Sequence, residues 1–361
     1  MRGDRSPVVV RAPVRVSFGG GGTDLAAYYG RFGGFVVSAA IARYSYAVAS
    51  RPADGGIGIN SADFRVWERF GRGEVPPVGD PLRLPKAAIE WFARHGIGET
   101  GVDLFLAAEV APGSGLGSSS AMAVALVRAL AGYVGLEMDA AGTAELASWL
   151  EIERLGMPIG KQDQYASAFG GINAIEFRDG EVVVTPLGLD PETVAALQER
   201  LLLFSTGKTR DSAAILRHQR AETLANPAVV EGLHRIKELA FEMRDALQAG
   251  DLDRFGALLD LGWQQKRGLS GRVSSGAIDG WYVAAREAGA LGGKITGAGG
   301  GGFLLLYCPP AALGEVRATM TRFGLQEISF GFDAEGGQIL SGGSQARPLA
   351  MAERDRARIS G

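Results

Sequence analysis

The stretch Val102–Ala121, VDLFLAAEVAPGSGLGSSSA, decides how the chain is read. Residues 102–110 have the apolar character of a strand, and AMAVALVRALAGYV, from Ala121 onward, reads as a helix. Between them stand Gly113, Gly115 and Gly117, which remove side chains where backbone N–H groups can face an anion. Ser118, Ser119 and Ser120 open the helix, whose first turn carries free N–H groups and the positive end of the helix dipole. A strand, a glycine loop and a helix start in that order point to phosphate binding. A tight turn with serine caps is the plain alternative. Neither a Walker A loop nor a G-x-S-x-G nucleophile elbow occurs here, and Gly207-Lys208-Thr209 lacks the first glycine of the former.

Two more glycine clusters flank this one in sequence. GGGGTD (19–24) follows VVVRAPVRVSF (8–18), a strand-like run interrupted at Pro13. Thr23 and Asp24 stand where a helix cap would stand, before LAAYYGRF. Asp24 is therefore either a cap or an acceptor of hydrogen bonds from a polyol. GAGGGG (297–302) formally matches the dinucleotide fingerprint, but FLLLYC after it is strand-like where that motif demands a helix. A loop between two strands fits a surface pressed against a ligand or a facing loop, or a wide turn with bulges.

The segment 147–171 carries the expected chemistry. Leu146, Trp149, Leu150 and Glu153 fall at helical spacing, which places Glu153 on the apolar face and turns Glu151 elsewhere. A carboxylate on a buried stripe needs a cationic partner, either Mg²⁺ or a basic side chain. Asp163 lies among Gly160, Lys161 and Gln162, before another helical run. It fits a base facing a substrate hydroxyl and kept ionised by Lys161 or Arg15, or else an ordinary cap. His95, His218 and His234 form no zinc spacing, which leaves a zinc site or a Ser-His-Asp hydrolase without support.

The 361 residues suggest two domains, 1–190 and 191–350, with a charged tail over 351–361. The 54 glycines are about twice the usual share and follow no G-X-Y period. A net charge of −3 gives no bulk attraction to nucleic acid or acidic lipid. The lone Cys308 allows no intramolecular disulfide and reads as a core residue. The amino terminus has no long apolar run. The longest apolar stretch, Ala121–Leu136, is broken by Arg128 and falls short of the ~20 residues of a membrane span. A cytoplasmic protein without membrane or nucleic-acid partners is expected, monomer or homodimer.

Taken together, the glycine loops and the GKQDQYA segment resemble the GHMP kinases. That family's phosphate loop has the form P-x-x-x-G-L-G-S-S-A; here it reads Pro112-Gly-Ser-Gly-Leu-Gly-Ser-Ser-Ser-Ala121, with one residue fewer before G-L-G-S-S (115–119) and one serine more before the alanine, and the resemblance runs from residue 8 to about 345. VRVSFGGGGTDLAAYY, STGKTRDSAAILRHQ (205–219) and LGGKITGAGGGGFLLLYC look most like the sugar 1-kinase branch acting on D-glycero-D-manno-heptose 7-phosphate. Galactokinases resemble the chain through Arg15, Thr23 and Asp24. They place a glutamate and a histidine where Gly21 and Gly22 stand, which argues for a longer or differently substituted sugar.

The resemblance implies an α+β, two-domain fold: an amino-terminal domain like the ribosomal S5 fold and a ferredoxin-like carboxy-terminal domain, with the site in the cleft between them. It implies ATP and Mg²⁺ as cofactors and a sugar or sugar phosphate as the small-molecule partner. Pro112, Gly113, Ser114, Gly115, Leu116, Gly117, Ser118, Ser119 and Ser120 would hold the nucleotide phosphates. Ser119, or alternatively Ser118, would hold the metal with Glu153. Asp163 would accept the proton of the anomeric hydroxyl, with Arg15 stabilising the developing charge. Gly21, Gly22, Thr23, Asp24, Gly299 and Gly300 would contact the sugar. Lys208 and Arg210 would take a substrate phosphate, unless they form a plain solvated turn. A 1-kinase for an unphosphorylated fucose-type or amino sugar, and a catalytically silent sugar sensor, are the competing readings.

Overall fold

The computed structural model describes residues 6–207, 212–271 and 273–342. The first half builds β1 (Val8–Gly19), β2 (Gly34–Ser50), β3 (Ile57–Ser61), β4 (Val66–Phe70), β5 (Val102–Ala108), β6 (Ile172–Arg178) and β7 (Glu181–Pro186). The second half builds β8 (Leu201–Ser205), β9 (Gly292–Ile295), β10 (Phe303–Tyr307), β11 (Gln326–Glu327) and β12 (Gln338–Ser341). The first sheet runs β12-β1-β2-β5-β3-β4, with β6 and β7 branching from β2. It forks because β2 is long enough to serve two partners: Gly34–Ala39 pairs with β6 and Ser45–Ser50 with β5.

The second sheet runs β11-β8-β10-β9, antiparallel throughout. In chain order its strands and crossovers give the ferredoxin-like β-α-β-β-α-β arrangement. Four helices, Ser212–Ala225, Pro227–Gln248, Leu252–Leu269 and Gly276–Glu287, fill the first crossover, and Leu313–Arg322 forms the second. The architecture is thus the expected two-domain α+β fold. Strand β12 departs from the expected layout. It lies in the segment read as the second domain, yet it hydrogen-bonds to β1 of the first sheet through Val9–Arg11. Among the described residues, no helix is long and apolar enough to cross a membrane. The tail 351–361 lies outside the described residues.

Pro13 does not interrupt β1. The register against β2 shifts between Pro13 and Val14 instead, and the strand continues to Gly19. The shift inverts which face each residue meets. Val8, Val10 and Ala12 pack in the core of the Ser118–Val134 helix, with Val124 and Val127. Val14, Val16 and Phe18 pack instead with Leu239, Ala240 and Met243 of the Pro227–Gln248 helix. The intervening Arg15 and Ser17 therefore turn toward the side that carries the 112–120 loop. That side now holds two buried polar side chains, at 3% exposure each, where alternation alone would have left apolar ones.

Candidate active site

Arg15 is the centre of the site. Its backbone N–H donates to the Leu116 carbonyl at 2.9 Å, and its Nη1 donates to the Gly115 carbonyl at 2.7 Å. Its Nε and Nη2 converge on Asp163 Oδ1 at 2.8 and 2.6 Å. One guanidinium thus clamps the glycine loop and the carboxylate together, using the fork geometry that suits arginine. Asp163 sits in the first turn of the Gln162–Phe169 helix, whose cap position is Lys161, so it is not the cap. A Cβ on Gly117 would stand 3.1 Å from Asp163 Oδ2, which puts the carboxylate directly against the loop.

The loop itself adopts left-handed backbone at Gly113, Gly115 and Gly117, with φ of 78°, 83° and 75°. Gly117 caps the Ser118–Val134 helix, and Pro112 and Gly113 are exposed. The 297–302 loop packs on it: a Cβ on Gly297 would lie 2.7 Å from Gly115 Cα, and one on Gly302 would lie 2.1 Å from the Ser114 carbonyl oxygen. The facing-loop alternative is the one realised. Gly299 and Gly300 do not meet the expectation of a substrate contact. The Gly300 amide is taken by the Val273 carbonyl at 2.6 Å, and Gly299 is pressed on the same residue.

The serines divide their work. Ser118 Oγ donates to the Ala111 carbonyl at 3.2 Å and fixes the loop's entry. Ser119 Oγ donates to Glu151 Oε1 at 2.6 Å, and Gln164 Nε2 donates to Glu151 Oε2 at 2.6 Å. Glu151 is fully buried, while Glu153 is exposed. The expectation for Glu153 is therefore corrected. The helix Ala140–Trp149 runs on as a wide π turn, Leu150–Arg154, closed by Leu155 N–H on the Leu150 carbonyl. More residues per turn swing Glu153 out of the apolar stripe and leave Glu151 beside the loop.

Ser119 and Glu151 form a pair of hard oxygen donors at a helix N-terminus. Among the described residues, no group of three or more His, Cys, Asp or Glu could hold a metal alone. The pair thus fits Mg²⁺ shared with nucleotide phosphates, an ion usually bound by one or two protein oxygens.

Asp24 is buried and accepts from the Gly22 amide at 2.9 Å and the Gln162 amide at 3.4 Å. It is not a helix cap, a position held by Leu25. Thr23 is corrected as a sugar contact. Its hydroxyl is fully buried, bonded to the Gly20 and Phe35 carbonyls and to the Phe35 amide. At Gly22 the Gln219 side chain lies against the backbone, 2.4 Å from where a Cβ would stand. Gly21 remains open, its nearest neighbours being Ser17 Oγ and Gln162 Nε2 at 3.7 Å. It lines a pocket with His218, Gln219, Glu222, Lys266 and Ser270. Lys208 and Arg210 lie outside the described residues.

The charges interact. Burial raises the Asp24 carboxyl, and the Asp163 charge adds to it. Burial also raises Glu151, against the bonds from Ser119, Ser120 and Gln164. Burial, followed by the Arg15 charge, pushes the Lys266 ammonium down to about 8, although Asp24 and Asp163 pull the other way. Lys294, which donates to the Phe18 carbonyl at 3.1 Å, is pushed well below its ordinary value by burial, Lys266 and Arg15. Sequence reasoning missed Glu151, Lys266 and Lys294. Lys266 had a usable signal, because it lies on the stripe Leu252, Phe255, Leu259, Trp263 of its helix.

Residues 83–171 match the GHMP kinases N terminal domain and residues 243–325 the GHMP kinases C terminal model. The D-glycero-alpha-D-manno-heptose 7-phosphate kinase of Campylobacter jejuni is 31% identical over 305 residues, 83% of this chain and 89% of that protein. The L-fucokinase/L-fucose-1-P guanylyltransferase of Bacteroides fragilis is 28% identical, over 86% of this chain but 36% of its own length. The crystal structure of a D-glycero-D-manno-heptose 1-phosphate kinase from Bacteroides thetaiotaomicron superposes with a TM-score of 0.78. It is 28% identical and covers 92% of this chain and 100% of that one.

Proposed function

The chain belongs to the GHMP kinases, and from that membership we propose that it moves the γ-phosphoryl group of ATP to the anomeric hydroxyl of a sugar phosphate. The acceptor is D-glycero-D-manno-heptose 7-phosphate and the product its 1,7-bisphosphate. One observation carries the chemistry: Arg15 holds Asp163 Oδ1 at 2.6–2.8 Å while Oδ2 faces Gly117 of the phosphate loop. Base and loop therefore share one small volume, as transfer between a nucleotide and a hydroxyl requires.

The amides of the 112–120 loop and the first turn of its helix hold the nucleotide phosphates. Both Arg15 bonds fall on Oδ1, so Oδ2 is the oxygen free to orient the acceptor hydroxyl and take its proton. The hydroxyl oxygen forms its bond to the γ-phosphorus as the bond to the bridging oxygen breaks, and ADP leaves. Arg15 offsets the charge on Asp163 and on the phosphoryl group. Ser119 and Glu151 would hold Mg²⁺, which neutralises phosphate charge when bound. Because such transition states are loose, positioning and charge matter more here than early proton removal. Asp24 and the open floor at Gly21 receive the sugar, and Lys208 and Arg210 grip its terminal phosphate.

The likeness to the heptose 7-phosphate kinase supports this acceptor. The fucokinase likeness favours a second reading, a 1-kinase for an unphosphorylated sugar. A coupled ADP-release assay with the heptose 7-phosphate, the free heptose and L-fucose separates them, with ³¹P NMR locating the new phosphate. Turnover of the heptose 7-phosphate is expected. Arg210→Ala should raise its KM more than that of the free heptose. ATP binding without ADP release from any sugar would favour a silent sensor and overturn the proposal.

A further inference from the structure

Lys266 is a buried ammonium whose hydrogen bonding is incomplete. It is 9% exposed and lies on the pocket wall with Gly21. Its Nζ donates to the Gly297 carbonyl, and no other acceptor among the described residues takes its remaining N–H groups. An ammonium has three donors, and leaving them unmet in a buried place is costly. Two further unmet groups lie beside Gly21. Ser17 Oγ and Gln162 Oε1 are buried without partners, and both side chains flank the open space over Gly21. Asp24 is close by, but its two oxygens already accept amides.

We infer that Lys266 is an acceptor-binding residue, whose free N–H groups donate to a neutral sugar oxygen beside the hydroxyl that Asp163 faces. This rests on the kinase reading above and assigns its acceptor subsite a donor from the second domain. A neutral oxygen fits better than a phosphate. Asp24 and Asp163 both act on this ammonium, and Arg15 is already paired with Asp163. A dianion there would confront two carboxylates. The Gly297 carbonyl fixes the ammonium from a loop that itself rests on Gly115, so the donor is positioned before the sugar arrives.

The test compares Lys266→Met with Lys266→Gln, the latter keeping a donor for the Gly297 carbonyl. ADP release is measured with D-glycero-D-manno-heptose 7-phosphate, the free heptose and L-fucose. Binding of AMPPNP and thermal melting are followed in parallel. Both variants should raise the KM of every sugar that the wild type phosphorylates by about 10- to 100-fold, as loss of a charged hydrogen bond implies. The factor should be equal with and without the terminal phosphate, with AMPPNP affinity and melting retained. An unmoved KM, a KM that moves only for the phosphorylated sugar, or AMPPNP affinity falling in step with it would each overturn the inference. If Lys266→Met does not fold, Lys266→Gln carries the comparison. A wild-type chain that turns over none of the three sugars overturns the kinase reading and this inference with it.

Discussion

Replacing Gly117 by alanine tests whether the spacing between the phosphate loop and Asp163 matters to turnover. Gly117 has φ 75°, a left-handed conformation that costs an L-residue roughly 1–2 kcal/mol. The new methyl would stand 3.1, 3.2 and 3.3 Å from Asp163 Oδ2, Cγ and Cβ. Ordinary contact lies near 3.5–4.0 Å, so the carboxylate must retreat by about half an ångström. Arg15 holds Oδ1 from the other side at 2.6–2.8 Å, so Oδ2 tilts most. Since a misplacement of ~1 Å costs about 10²-fold, kcat should fall roughly tenfold. The amide of residue 117 survives the change, so AMPPNP affinity should shift little. Melting should drop by a few degrees through the backbone term. Steady-state kinetics with both substrates saturating, AMPPNP titration and a melting scan decide the matter. In the Asp163→Asn background the alanine should cost kcat nothing further, because the group it displaces no longer acts. An unchanged kcat with only a lower melting temperature would refute the reasoning. So would a raised KM for ATP with kcat intact, which would assign Gly117 to the nucleotide alone.

Other expectations follow from the same geometry. Glu151→Gln should lower kcat/KM by on the order of 10²–10³ and raise the Mg²⁺ requirement, whereas Glu153→Gln should leave both unchanged. Melting of Glu151→Gln should hold, since relief of burial offsets two weakened hydrogen bonds. The Lys266 ammonium, pushed down to about 8 by burial and Arg15 against Asp24 and Asp163, loses its proton as pH rises. Acceptor KM should therefore climb above about pH 8 in the wild type and stay flat in Lys266→Gln, as a pH series of KM would read. Cys308 is fully buried and its thiol is raised to about 12 by burial, so a disulfide reagent at mildly alkaline pH should label it only after unfolding.

Most elements were legible because their patterns are local. The strand of 35–50 and the helix of 229–250 have clean periodicities, found as Gly34–Ser50 and Pro227–Gln248. The 112–120 loop was legible as a turn between strand and helix because its glycines are contiguous signals, and Gly113, Gly115 and Gly117 do take left-handed backbone. What escaped depends on departures from ideal geometry or on distant partners. A straight helical projection favours Glu153 over Glu151, and the π turn at Leu150–Arg154 breaks that projection. Thr23 has the residue type of a sugar contact, but its hydroxyl is claimed by Phe35, on the far side of the helix Ala26–Phe32. Pro13 looked like a break, yet the register shift there lets the strand run on and turns Arg15 toward Asp163. LQEISFGF (325–332) reads as a strand over eight residues, but only Gln326 and Glu327 join the second sheet, beside β8, while Phe332 bridges to Ile41 of β2. Lys266 lies on the apolar stripe of its helix, which signals burial, but what it bonds to depends on a partner 31 residues away, the Gly297 carbonyl.

Strand β12 has a mechanical consequence. The chain departs the first sheet after β7 and comes back to it at β12, beside β1. The ferredoxin-like body is therefore held by two straps instead of dangling from one. The straps act together with a shared core, in which Val14, Val16 and Phe18 pack with Leu239, Ala240 and Met243. The 297–302 loop, seated on Gly115, therefore keeps its place against the 112–120 loop without depending on a single linker.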